Sequence, residues 1–235
     1  QTYEEAFARI MDATNIHSFD ISEPGYTQYI GSGRVDGTVQ DQFSISEFEG
    51  SVRIASTSDA WARWWLMDEV DESGEPIWNG PTNQVSILQP NEEGELEQIG
   101  FIGSIAEGET IWSARFVADR GYLVTFENVD PLWVIDLSDP TNPVILGELE
   151  VPGVSTYIHP VNENTLLTIG IGPGEDGLGL DWSTTQISLF DISDPTNPTL
   201  ADSLPISPVN VDENCEDVGG CGWSWSWSEA TYEHK

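Results

Sequence analysis

The segment Val134-Ile135-Asp136-Leu137-Ser138-Asp139-Pro140-Thr141-Asn142-Pro143 returns 55 residues later as Leu189-Phe190-Asp191-Ile192-Ser193-Asp194-Pro195-Thr196-Asn197-Pro198. A worn third copy, Phe19-Asp20-Ile21-Ser22-Glu23-Pro24, stands near the start. Self-similarity at such a period is the signature of a repeat architecture, in which a unit too small to bury its own apolar face is covered by its neighbours. The repeated segment reads as a corner. Pro140 fixes φ near −65° and withdraws an amide donor. Asp139 is placed to accept hydrogen bonds from amides ahead of it. Asn142, preceding Pro143, is pushed to the extended geometry that launches a strand. The alternative use of Asp139 or Asp194, as a ligand group, has no further support in the sequence.

Short alternating runs surround these corners. Residues 16–21, 42–46, 51–57, 84–88 and 96–101 carry apolar side chains at period two and are separated by polar or Gly-containing turns, as strands are. Thr2 to Met11 is a short helical pattern. From Trp112 to Leu149 four strands follow one another in about 40 residues, the size of a β-propeller blade. The unit after it keeps the plan but is longer: Tyr122–Phe126 overlies Thr165–Ile169 at an offset of 43, whereas the corners need 55. The extra 12 residues fall within Gly170 to Asp181 and are expected to form a loop.

The sequence therefore predicts an all-β fold of four-stranded antiparallel propeller blades. All of 1–235 is part of one propeller domain: a partial blade at 15–30, blades at about 43–101, 112–149 and 156–206, and the start of another at 228–235. Closure needs at least four blades, so the chain is expected to be a fragment of a larger closed propeller, its missing blades supplied by the parent chain.

The residues also resemble a known family. The carrying segments are Thr14-Asn15-Ile16-His17-Ser18-Phe19, Ser32-Gly33-Arg34-Val35-Asp36-Gly37, Asn128 to Pro140, and Gly153-Val154-Ser155-Thr156-Tyr157-Ile158-His159-Pro160. As a set they are similar to secreted bacterial and archaeal proteins with a C-terminal β-propeller domain, distantly related to the tryptophan-aspartate repeat propellers. The resemblance implies an exported propeller longer than this chain, located outside the cell or on its surface. It implies no reaction and no catalytic residues.

Charge narrows the partners. Asp and Glu number 41 against 7 Lys and Arg, a net charge of −34, and such a surface repels nucleic acid and anionic membranes. It is a solvated coat suited to brine, or a collector of divalent cations. No stretch reaches the roughly 20 apolar residues of a membrane helix. A protein or glycan partner is compatible with all of this. Cys215 and Cys221 close a small Gly-rich loop and read as a disulfide, which suits an oxidising compartment; zinc lacks two further ligands nearby.

Sites are sparse. No Gly-x-Ser-x-Gly or His-Glu-x-x-His occurs, and Gly172-Pro173-Gly174-Glu175-Asp176-Gly177 matches Gly-x-Gly-x-x-Gly only as letters. Calcium is the one cofactor suggested, at Glu175, Asp176 and Asp181, hard oxygen ligands among glycines. Asp212, Glu213, Glu216 and Asp217 form a second acidic stretch. His159 and His234 share the pattern Tyr-x-His and either pack or face a channel as metal ligands. Trp61, Trp64 and Trp65, and Trp223, Trp225 and Trp227, pack between blades or form a platform for a sugar or apolar partner. Two functions remain: a non-catalytic, exported binding scaffold, with calcium stiffening its loops, or a secreted hydrolase with a carboxylate site at the channel mouth.

Overall fold

The computed structural model describes residues 13–58, 81–126, 130–174, 177 and 179–206. The helical pattern at Thr2 to Met11, both Trp segments, the 212–217 acidic stretch, Cys215, Cys221, His234 and the blade opening at 228–235 lie outside them. The described residues form fourteen strands. A two-stranded sheet pairs β1 (Ala13–Asp20) with β2 (Gln28–Asp36). A four-stranded sheet runs in chain order through β3 (Ile45–Phe48), β4 (Ser51–Ser58), β5 (Thr82–Pro90) and β6 (Leu96–Ile105). A second uses β7 (Thr110–Val117), β8 (Arg120–Phe126), β9 (Asp130–Asp136) and β10 (Val144–Val151). A third uses β11 (Val154–Asn162), β12 (Thr165–Pro173), β13 (Leu180–Asp191) and β14 (Thr199–Ile206). Within each sheet, every strand pairs with its neighbours in sequence. These are the all-β, four-stranded antiparallel blades that the alternating runs predict.

Three local expectations need correction. Gln42–Ser44 is a 3-10 turn and not the start of a strand: Asp41 Oδ1 accepts the Phe43 and Ser44 amides, so β3 begins only at Ile45. The turn after β7, expected at Asp119-Arg120-Gly121, is made by Ala118 and Asp119, with Arg120 already in β8. The inserted segment is not simply a loop. Gly172 pairs with Asp181 and Pro173 with Leu180, so its ends lengthen the β12–β13 hairpin. A bulge opposite Ile171 and Gly172 leaves Trp182 51% exposed.

The repeated corner forms as its residues dictate, and twice over. Asp139 Oδ1 accepts the Thr141 amide and hydroxyl, and Asn142 N–H donates to the Asp139 carbonyl. Asp194, Thr196 and Asn197 repeat these bonds. One step earlier, Asp20, Asp136 and Asp191 accept the amides of Ser22, Ser138 and Ser193. Asp20 ends β1 as Asp136 ends β9 and Asp191 ends β13, so β1 and β2 correspond to the third and fourth strands of the other sheets.

The chain divides into two compact units, Gln1–Thr125 with Ile135–Ile145, and Phe126–Val134 with Leu146–Lys235. In the first, Ile16 and Val35 of the β1–β2 sheet pack against Ile54, Leu88 and Leu96 of the next. The corners dock on glycines. A Cβ on Gly31 of β2 would lie 2.7 Å from the Gly94 carbonyl oxygen, in the β5–β6 corner. One on Gly100 of β6 would lie 2.0 Å from the Pro140 carbonyl oxygen. Within the second unit, one on Gly147 of β10 would lie 2.7 Å from the Pro195 carbonyl oxygen. These distances are far below van der Waals contact, so only glycine admits the corner. The residue eleven after the aspartate that ends the third strand is Gly31, then Gly147, but Asp202 on β14. All of β14 is exposed.

A buried polar hub completes the first unit. Asn83, 0% exposed, donates through Nδ2 to the carbonyls of Ile105, Ala106 and Glu109 at 3.0, 3.4 and 3.1 Å. Its Oδ1 accepts the Thr57 hydroxyl, and Thr57 Oγ1 in turn accepts the Ile111 amide. One amide side chain thus reaches three carbonyls of the β6–β7 connection, while the Gly108 amide donates to the Pro81 carbonyl and the Glu109 amide to that of Ala106.

Candidate functional site

In an antiparallel meander, the first turn and the third corner of each sheet emerge at the same end. Backbone bonds stitch them together: Leu137 N–H donates to the Asp119 carbonyl, and in the second unit Ile192 N–H donates to that of Asn164. At this end of the first unit the β3–β4 turn and the end of β5 face the β7–β8 turn and the corner after β9, enclosing a groove of about 580 Å³. That volume lies within the range of ligand-binding pockets. Both walls consist entirely of described residues of the first unit.

Its shape follows from two tight turns. Glu49 (φ 50°) and Gly50 (φ 77°) form a two-residue hairpin link with left-handed φ at both positions, which matches the twist of the strands. Ala118 (φ 46°) sits in the left-handed region without glycine's freedom. Its carbonyl accepts a hydrogen bond from Arg53 Nη1.

Arg53 forms part of the lining and is 4% exposed. Its guanidinium lies 4.8 Å from the Phe48 ring centroid and 5.2 Å from that of Phe116, and Nη2 donates to Ser46 Oγ. Nε is buried with no hydrogen-bond partner. Burial lowers the pKa of Arg53, and the charges of Glu47 and Asp119 oppose that shift. The rest of the lining mixes acceptors and apolar surface: Glu49, Asp119, Gln89 and Ser138 beside Leu137 and Pro140. Gln89 Nε2 donates to Ser51 Oγ, fixing that amide's orientation. Sequence reading missed this site because its parts come from four separate stretches of chain between Phe48 and Pro140. The one available signal was Arg53, a lone charge in an otherwise uncharged strand.

Of the expected calcium ligands and the three histidines, only Asp181, His17 and His159 fall among the described residues. Among the expected calcium ligands, Asp181 stands at the start of β13, while Glu175 and Asp176 lie outside the described residues. Asp181 Oδ1 accepts the Ser183 amide and hydroxyl, Oδ2 accepts the Thr184 hydroxyl, and these bonds hold its carboxyl below the usual range. His159 lies on β11 with its ring stacked 6.3 Å from that of Tyr157. His17 Nδ1 is 2.9 Å from Ser32 Oγ. No group of three or more potential metal-ligating side chains occurs among the described residues. No helix among them is long and apolar enough to cross a membrane.

Comparison with known proteins agrees with this geometry. An uncharacterized protein of Methanocaldococcus jannaschii is 36% identical over 193 residues, which is 82% of this chain and 25% of that protein. An uncharacterized protein of Archaeoglobus fulgidus is 34% identical over 198 residues, 84% of this chain and 26% of that protein. The chain thus spans about a quarter of the length of these relatives. The family model described as "Beta propeller domain" matches residues 1–217. With four-stranded meanders interlocked corner on glycine, and with a match over nearly its whole length, the chain belongs to the beta propeller domain family.

Proposed function

We propose that the chain is a non-catalytic binding module of an exported protein, and that the groove beside Arg53 is where it takes its ligand. The groove itself carries this reading: about 580 Å³, walled by rigid turns, with hydrogen-bonding groups set among apolar ones. Supporting it, the aspartates with shifted pKa values among the described residues (Asp20, Asp136, Asp139, Asp181, Asp191 and Asp194) are all shifted downward by bonds from Ser or Thr. That direction suits a turn staple; a general acid needs its pKa raised. The test is a ligand screen on the wild-type chain and on Asp119→Ala. Binding that depends on Asp119 supports the reading. Reproducible hydrolysis abolished by Asp119→Asn or Glu49→Gln would replace it with the hydrolase reading.

Location outside the cell, kinship to tryptophan-aspartate repeat propellers and a Cys215–Cys221 disulfide belong to the same proposal. Thiol alkylation of the unreduced protein followed by mass measurement tests the disulfide, which predicts no label on either cysteine. Calcium at Glu175, Asp176 and Asp181 is proposed for stiffening the β12–β13 hairpin tip. It predicts a rise in melting temperature with calcium that equal ionic strength of sodium does not give and that Asp176→Asn removes.

A further inference from the structure

Resting on the reading of the groove as the binding site, we infer that its ligand is a neutral, hydroxyl-rich molecule: a sugar residue of a glycan. The lining must be matched in charge and in hydrogen bonding. Glu49 and Asp119 belong to it, within a protein of net charge −34, so an anionic ligand meets like charge from the walls and from the whole molecule. An ammonium ligand is drawn by those same carboxylates, but it sets its charge beside the guanidinium of Arg53, whose charge is fixed and whose position is locked by Phe48, Phe116 and two hydrogen bonds. A neutral ligand avoids both penalties.

It must also donate and accept at once. The carboxylates of Glu49 and Asp119 only accept. Gln89 spends an N–H on Ser51 and so presents its carbonyl oxygen as a further acceptor. On the other side, Arg53 Nε–H is a buried donor with no partner, and an unmade bond of that kind is costly. A ligand must therefore bring several donors and at least one acceptor oxygen, without charge. Sugar hydroxyls supply each as donor and acceptor, and the C–H faces of the ring suit the apolar surface of Leu137 and Pro140.

The experiment is titration calorimetry of the chain with neutral hexose hexamers (glucose, mannose and galactose, α- and β-linked), set beside uronate hexamers and a random peptide display library, all at about 1 M salt to screen the coat. Asp119→Ala and Gln89→Ala are the test variants, both away from the packed core; Asp202→Gly on β14 is the control. Saturable binding of a neutral hexamer, weakened at least tenfold by Asp119→Ala and by Gln89→Ala but not by the control, is the expected result. Selection of peptides or preference for uronates, with the same dependence on Asp119, overturns the sugar and keeps the groove. Hexamer binding indifferent to both variants overturns the groove as well, as does the absence of any ligand in all three arms.

Discussion

At the scale of single residues, buried polar groups matter most. Asn83 is the side chain on which the β6–β7 connection depends. Asn83→Leu keeps the volume but removes the Nδ2 donor from the Ile105 and Glu109 carbonyls and leaves the Ala106 carbonyl only the Glu109 amide, a loss on the order of 2 kcal/mol in urea unfolding. A loss under about 1 kcal/mol would show that water takes over the bonds, and that the hub is dispensable. Titration of the corner aspartates is a second residue-scale effect. Hydrogen bonds from Thr141 and Thr196 hold Asp139 and Asp194 below the ordinary 3.8. A carboxyl whose pKa is lower in the folded state stabilises fully above its unfolded value, and that stability is lost as pH falls through the folded one. Asp139→Asn with Asp194→Asn keeps an acceptor oxygen for each Thr but cannot titrate. Urea midpoints from about pH 6 down to about pH 2.5 should fall less for the double variant than for wild type. The acidic coat, whose self-repulsion eases on protonation, is common to both and cancels. Parallel curves would remove the corners from the account of acid stability.

Among elements, the contact that matters is a corner carbonyl seated on a glycine of the preceding sheet. In an ordinary strand, glycine to alanine helps, by roughly 0.5–1 kcal/mol. At Gly100 and Gly147 the added methyl meets backbone, and the sign reverses to a loss of roughly 1–3 kcal/mol, larger at Gly100. Asp202→Gly, on the strand with no corner against it, should gain nothing. Stabilisation by Gly100→Ala would mean that the sheets are not joined as described. This element-scale order was legible wherever the chemistry is local. The Asp-Pro-Thr-Asn-Pro corner could be read because every bond it makes spans two or three residues, and β7 to β14 because their alternation is bounded by Gly, Pro and Asp. The 3-10 turn at Gln42–Ser44 was not, because its alternation imitates a strand and only the Asp41 cap decides otherwise. The paired ends of the insertion were hidden by their glycines. The Asn83 hub and the groove were out of reach because their partners lie tens of residues apart, and no periodicity encodes a distance of that kind.

For the whole molecule, charge sets the conditions under which any of this is measured. A net charge of −34 on 235 residues repels itself, and screening falls to short range as salt rises. The melting temperature should climb steeply between about 0.02 M and about 1 M sodium chloride. A flat profile would mean that the carboxylates are neutralised within the fold, which among the described residues few cations are placed to do. The central claim is that successive meanders are propeller blades held by corners seated on glycines. A crystal structure of the chain tests it directly. It should place the Pro140 carbonyl oxygen against Gly100 and the Pro195 carbonyl oxygen against Gly147, with Asp139 and Asp194 bonded to Thr141 and Thr196. Corners pointing away into solvent, or facing different strands in the two repeats, would contradict it.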